Sequence, residues 1–395
     1  MNRHLLNPFD RDYPEVVDGA LSLGAPDHPD EVTCIAFNLW GTLLAGGTRH
    51  GACLIWDFET RGIARRLRRL DPQGKPYDSA AVSSVAWSRD GTLVLVGSSA
   101  GYVIQWDVLR KSSTFVTDFD ADVISAAQHP SKYTVYAVCF SSGDAVVIDH
   151  VHMRRRAIPP PSRESSRGTC VQFTNDGSAV FVGWSRGSIT LHDSATLVIL
   201  ASADFAGHSP VTSISISYEG DAVLVNTADR VRLCSATSLR VEREFVDAVN
   251  RVPFRVSCFS GNGDYIAAGP SRKSAPHSIY IWNRLDGSLL ALLDGPLRGI
   301  IAIQWHSHKP VIVAVMSTGE PVVWSKNVSE NWQAFAPDFV ELEENVVFDE
   351  SQLDDMPVVA PNAMEEAVDI LTISAAFDDT ADGLRHLPIS PLDVD

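Results

Sequence analysis

No apolar stretch in this chain of 395 residues is long enough to span a bilayer. The first ten residues, MNRHLLNPFD, hold no apolar core of the kind a secretory leader needs. We therefore expect neither secretion nor a membrane anchor, and Asn327-Val328-Ser329 means nothing as a glycosylation pattern without that route. The six cysteines (34, 53, 139, 170, 234 and 258) contain no C-x-x-C pair, which argues against zinc ribbons and dithiol redox motifs. Most fall in apolar strand-like runs, so buried reduced thiols are expected. No G-x-S-x-G is present, and Gly261-x-Gly263 has no helix after it, so it reads as a hairpin turn and not a dinucleotide loop. His150-x-His152 and His306-x-His308 each offer two imidazoles without a third ligand nearby in sequence, too few for a metal. We expect no cofactor and no catalytic residues. A convincing helical period of 10 or more residues is also missing from 17–325.

A repeat fills the space these absences leave. Residues 36–57 read AFNLWGTLLAGGTRHGACLIWD, and 85–107 read VAWSRDGTLVLVGSSAGYVIQWD. Each runs strand, polar turn, apolar strand, glycine turn, then a strand ending in Trp-Asp, the signature of a WD40 propeller blade. Weaker copies follow at 126–149, 171–193, 214–235, 258–283 and 303–325. Their closing positions hold Trp56, Trp106, Ile148, His192, Cys234, Trp282 and Trp324, spaced by 50, 42, 44, 42, 48 and 42 residues. Turns at Trp40-Gly41-Thr42, Asp90-Gly91-Thr92, Asp176-Gly177-Ser178 and Gly263-Asp264 fall at equivalent places. The runs LVLVG (93–97), AVFVG (179–183) and VIVAV (311–315) are short and apolar throughout, as strands covered on both faces are. The fold class is therefore all-β, a seven-bladed propeller over 17–328 after an N-terminal extension, 1–16. The last repeat supplies three strands only, so the segment near Val17–Leu23 is predicted to close the ring by pairing with it. Stacking blades into a closed ring removes the exposed edges a lone four-stranded sheet would keep.

Charge divides the chain differently. The net charge is −17, of which −16 falls in 330–395, where seventeen acids face Arg385 alone; this leaves −1 to residues 1–329. Such a tail cannot bury enough apolar surface to fold unaided. It nonetheless carries apolar clusters, WQAFAPDF (332–339), VVF (346–348), VDILTI (368–373) and LRHLPI (384–389). Spaced apolar clusters on a largely disordered acidic chain read as linear motifs that fold onto partners. The basic runs Arg65-Arg66, Arg68-Arg69 and Arg154 to Arg156 are read as solvated outer strands, with nuclear-import or nucleic-acid patches as the other possibility.

Several runs together carry a family resemblance: YPEVVDG, FNLWGTLLAGG, IWDFETRGIAR, NTADRVRLC, FSGNGDYIAAG and above all ENWQAFAPDFVELEENV. The chain resembles the retinoblastoma-binding protein 5 type subunit of COMPASS complexes, which methylate lysine four of histone H3. A repeat alone would say little, since unrelated scaffolds share it; the run after the propeller is the diagnostic part. The resemblance implies a nuclear, non-catalytic scaffold. Within 329–355, Asn331 to Asn345 would lie on the SET-domain methyltransferase, with Trp332, Phe335, Pro337 and Phe339 as anchors. Val346 to Asp355 would dock on the SPRY domain of the Ash2-like subunit, Phe348 and Leu353 inserting while Asp349, Glu350, Asp354 and Asp355 face basic residues. In the acidic tail 356–395, Glu365, Glu366, Val368, Asp369 and Ile370 would bind the complex's second WD-repeat propeller, although Ile370-Leu371 holds one residue more than the family pattern.

Four loop arginines, Arg230, Arg251, Arg272 and Arg298, come from consecutive late blades with few acids beside them. Equivalent loops of adjacent blades share a rim, and the resemblance implies that such a face lies against nucleosomal DNA. The contacts would be to phosphates, without base reading. The alternatives are isolated surface arginines or a structural Asp229-Arg230 pair. For the whole chain, the alternatives are a WD-repeat scaffold of another assembly, such as a ubiquitin-ligase receptor, or a propeller hydrolase. The 330–355 segment weighs against the first, and the lack of convergent acids against the second.

Overall fold

The computed structural model describes residues 13–23, 30–69, 81–161, 166–205, 207, 209–228, 230–247, 252–270 and 278–326. The chain divides into units 1–329 and 330–395, and every described residue belongs to the first. Among the described residues the regular elements are strands only, β1 to β28, arranged as seven four-stranded antiparallel sheets. In chain order the blades are β2–β5 (Val32–Arg68), β6–β9 (Val82–Asp118), β10–β13 (Val123–Ala157), β14–β17 (Gly168–Asp204), β18–β21 (Val211–Phe245) and β22–β25 (Phe254–Leu293). The seventh blade is β26 (Ile300–Trp305), β27 (Ile312–Met316) and β28 (Pro321–Ser325), completed by β1 (Val16–Ala20). The predicted seven blades and closure by the N-terminal segment are what the ring shows.

Closure is specific. Val17 lies opposite Trp324 and Ala20 opposite Val322 in the β1–β28 pairing. Leu21 extends it, its N–H donating to the Pro321 carbonyl at 2.9 Å, and its side chain is buried. Tyr13, upstream of the predicted start of the ring, packs edge-on against Tyr265 at 5.6 Å. The first strand of each blade adjoins its counterparts in the neighbouring blades, with β26 meeting β2 to complete the circle.

The packing follows from the sequence pattern. Middle strands such as β15 (Ala179–Trp184) are buried at every residue, because both faces of the sheet meet another blade. Outermost strands such as β13 (Arg154–Ala157) are exposed at every residue. Leu44, Leu54 and Trp56 of the first blade form one core cluster with Val313, Val315 and Val323 of the seventh. The closing Trp56 is fully buried, its indole N–H donating to the Ser22 carbonyl at 2.7 Å. Replacing such a side chain with alanine costs about 3–5 kcal/mol.

The aspartate that follows it has a separate task. Asp57, Asp107, Asp149 and Asp193 each accept backbone amides of the turn after their strand, for example Arg110 N–H to Asp107 at 2.9 Å. After the third strand of blades one to five, a non-glycine residue of this turn takes a left-handed conformation: Arg61, Lys111, Met153, Leu197 and Leu239. The equivalent residue of the sixth blade is Gly287. All six cysteines are unpaired, five buried and Cys34 half-buried, and burial pushes the Cys258 thiol up to about 12. This is the inert character expected of them.

Candidate interaction surfaces

The antiparallel order within a blade sends its loops to two faces. Turns between the second and third strands, and connections from one blade to the next, emerge together. Arg230 sits in the turn between β19 (Ala222–Thr227) and β20 (Val231–Ser235), and Arg298 between β25 (Leu289–Leu293) and β26, so both are on that face. Arg251 and Arg272 lie outside the described residues, although β21 (Val241–Phe245) and β23 (Tyr265–Pro270), which precede them, also end on that face. Trp332, Phe335, Pro337, Phe339, Phe348, Asp349, Glu350, Leu353, Asp354, Asp355, Glu365, Glu366, Val368, Asp369 and Ile370 lie outside the described residues as well.

Neither described arginine stands without an acid, contrary to the reading that few lie beside them. Arg230 Nη1 is 2.7 Å from Glu244 Oε2, and Arg298 Nη1 is 3.7 Å from Glu320 Oε2. Glu244 serves two cations, since its Oε1 also takes a hydrogen bond from Arg232 Nε at 3.0 Å. Arg232 is buried, donates to Thr227 Oγ1 at 2.6 Å and lies over the Phe205 ring at 4.8 Å. Burial acts to raise the Glu244 carboxyl, but hydrogen bonds from Arg230 and Arg232 outweigh it and hold the group below its usual range. The result is a fixed Arg-Glu-Arg group with the half-exposed Arg230 at its outer end.

Sequence reasoning missed Arg232 and Glu244, which form a directly opposed cross-strand pair. A hairpin register drawn between VRLC and EREF would have found them. The histidine pairs are used locally. His152 Nδ1 contacts Asp149 at 2.7 Å and His150 stacks on Phe115 at 4.3 Å. His306 Nδ1 accepts the amides of His308 and Lys309, each at 3.0 Å. Among the described residues no group of three or more His, Cys, Asp or Glu side chains is placed to hold a metal. No described helix is long and apolar enough to cross a membrane.

A ring of seven four-stranded blades whose third strands end in Trp-Asp or its variants defines a WD-repeat β-propeller. The WD domain, G-beta repeat family matches residues 22–57 and 72–107. Protein RBL of Arabidopsis thaliana is 32% identical across 99% of this chain and 81% of its own length. The retinoblastoma-binding protein 5 homolog of Drosophila melanogaster is also 32% identical, across 99% of this chain and 83% of its own. Set1 complex component swd1 of Schizosaccharomyces pombe is 30% identical across 89% of each. The chain belongs to this retinoblastoma-binding protein 5 (Swd1) family. Its fold is similar to the propeller domain of Myceliophteria thermophila Cps50 (Swd1), with a TM-score of 0.70 and 27% identity over 79% of this chain and 99% of that one.

Proposed function

We propose that this protein is a non-catalytic, nuclear WD-repeat subunit of a Set1/COMPASS-type complex, binding and activating a SET-domain histone H3 lysine-4 methyltransferase. The observation that carries the reading is the reach of the likeness. A relative named as a retinoblastoma-binding protein 5 homolog matches 99% of the chain, so the similarity runs past the propeller into 330–395. A scaffold retained only for its ring would need no matching tail.

In this reading residues 331–355 do the activating. Trp332, Phe335, Pro337 and Phe339 anchor on the SET domain, Phe348 and Leu353 insert into the SPRY domain of an Ash2-like subunit, and the intervening acids select its basic groove. Holding both partners favours the productive arrangement of the catalytic domain, a shift of population and not added chemistry. Glu365 to Ile370 engage a second WD-repeat propeller. The face carrying Arg230 and Arg298 turns toward nucleosomal DNA, each arginine exchanging its carboxylate for a phosphate.

Reconstituted methyltransferase assays with the chain cut after Val328 test the central claim. Loss of most of the stimulation is expected. Full stimulation by the truncated chain would sink it.

A further inference from the structure

Blades two to four carry a surface that neither the ring nor the proposed function uses. Residues 151–157, Val-His-Met-Arg-Arg-Arg-Ala, are all exposed. They form the end of a turn and the short outermost strand β13, which pairs on one side only, Arg154 opposite Asp149 and Arg156 opposite Val147. Four contacts tie this segment and the adjoining His150 to the neighbouring blades. His150 stacks on Phe115 of the second blade, and the Arg155 guanidinium lies over the Phe119 ring at 5.0 Å. On the other side Arg156 donates to the Ser194 carbonyl at 3.0 Å and to that of Ala195, in the turn of the fourth blade.

Two chemistries alternate across it. Leu109, Val151, Met153, Val198 and Leu200 are between 59 and 78% exposed. Interleaved with them are Arg110, Lys111, Arg154, Arg155 and Arg156. Asp107, Asp149 and Asp193 in the turns of these three blades each accept backbone amides of their own loops, and Asp107 also lies 3.7 Å from Arg110. Among the described residues none of Arg154, Arg155 and Arg156 is in an ion pair, although hydrogen bonds from Thr196, helped by the Arg156 charge, hold the Asp193 carboxyl below its usual range. Arginines on a short edge strand blunt it against unwanted sheet pairing. That purpose does not call for exposed Met153 and Val151 beside them, nor for Leu109, Val198 and Leu200 on the flanking blades.

We propose that this surface docks an acidic, extended segment with aliphatic anchors, supplied by a partner protein. The occupant follows from charge and polarity together. Carboxylates would pair with Arg154 and Arg155, neither of which is in an ion pair within the ring, and aliphatic side chains would cover Met153, Val151 and Leu200. A nucleic acid would satisfy the cations and leave the aliphatics wet. Β-sheet extension is not the mode, because β13 offers four residues before Ile158 and a run of three prolines. The segment therefore lies across the blades, held by side chains.

The test uses the full chain and a fluorescein-labelled (Glu-Glu-Leu)4 peptide, followed by anisotropy at low and moderate salt. Saturable binding that weakens with salt is expected, with (Glu-Glu-Ser)4 binding more weakly. R154E/R155E should weaken the peptide by about tenfold or more, since two attractive charges become repulsive. M153S/L200S should weaken it several-fold with the salt dependence unchanged. All four side chains are exposed, so the urea midpoint of M153S/L200S should match the parent and that of R154E/R155E should fall only slightly, by loss of the exposed Arg155–Phe119 contact; R154Q/R155Q, whose peptide binding is expected to lie between, repeats the charge arm without added repulsion. The proposal is overturned by absence of peptide binding, by equal binding to both variants, or by equal binding of (Lys-Lys-Leu)4. Tighter capture of a duplex DNA that R154E/R155E abolishes would make this a phosphate surface instead. Self-association of the full chain that the same variant abolishes would make the occupant a second copy.

Discussion

Acid should weaken this ring at identifiable seams. His306, in the first turn of the seventh blade, packs so closely on Gly41 of the first blade that a Cβ there would lie 2.4 Å from the ring. Its Nδ1 accepts two backbone amides, so the buried ring is neutral, and a proton on that atom would break both hydrogen bonds. Burial foremost, with the charges of Lys309 and His308, pulls its pKa down to about 4. Because the folded value is depressed, the contribution is complete above the unfolded value near 6.5 and is lost as pH falls from there toward about 4. At about 1.36 kcal/mol per pH unit, the loss between pH 7.5 and pH 5 is about 2 kcal/mol, trimmed toward 1 because His308 and Lys309 are exposed and screened. His129 repeats the arrangement between the third and fourth blades, against Gly177, and is lowered in the same direction by burial. Urea unfolding at the two pH values measures the effect. The His306→Asn variant should be weaker at pH 7.5 but lose less on acidification, by about the 1–2 kcal/mol assigned to the imidazole. If parent and variant lose stability in parallel, His306 is not the titrating group and the account fails.

Other perturbations separate the remaining claims. Arg232→Ala should destabilise the ring by about 3 kcal/mol in urea unfolding, because it strands part of Glu244's pairing and empties the space over Phe205; Arg232→Met should cost clearly less. Phe348→Ala should weaken binding to an isolated Ash2-like SPRY domain, read by calorimetry, by about 2 kcal/mol, against under about 1 kcal/mol for Asp349→Ala at a solvated rim. Replacing Arg230, Arg251, Arg272 and Arg298 together with alanine should flatten the log–log salt dependence of nucleosome binding by up to about 3–4 units. Methylation of a free histone peptide should survive that change. Equal loss on both substrates would mean a damaged assembly, and no loss on nucleosomes would mean these are ordinary surface arginines.

The ring was legible because its signal is redundant. Where Trp-Asp had decayed to Ile148, His192 or Cys234, spacing and flanking apolar runs still placed the strand, and each side chain is buried in the structure. His192 survives there because Nε2 meets Thr190 Oγ1 at 2.8 Å and Nδ1 lies 3.3 Å from the Leu197 carbonyl. The pairings of the exposed face were less legible. Glu320 lies 22 residues from Arg298, across a blade boundary, and only the folded ring brings them together. The partner of Arg230 depends on a hairpin register that shifts at Leu233/Cys234. His306 reads as half of a paired-imidazole motif, whereas its partner is a glycine 265 positions upstream.

The seventh blade has a consequence for how the chain is made. Val17 pairs with Trp324, so a strand made before the rest of the ring is among the last to find its place. At about 5–20 residues per second the wait is roughly 15–60 s, during which six blades can assemble as an open arc. An unpaired strand waiting that long invites pairing with other chains. This one is VVDGA, five residues with an acid and a glycine at its centre and a register break between Val17 and Gly19. It is a poor template for such pairing, and it becomes a strand in earnest only when Pro321–Ser325 arrives beside it.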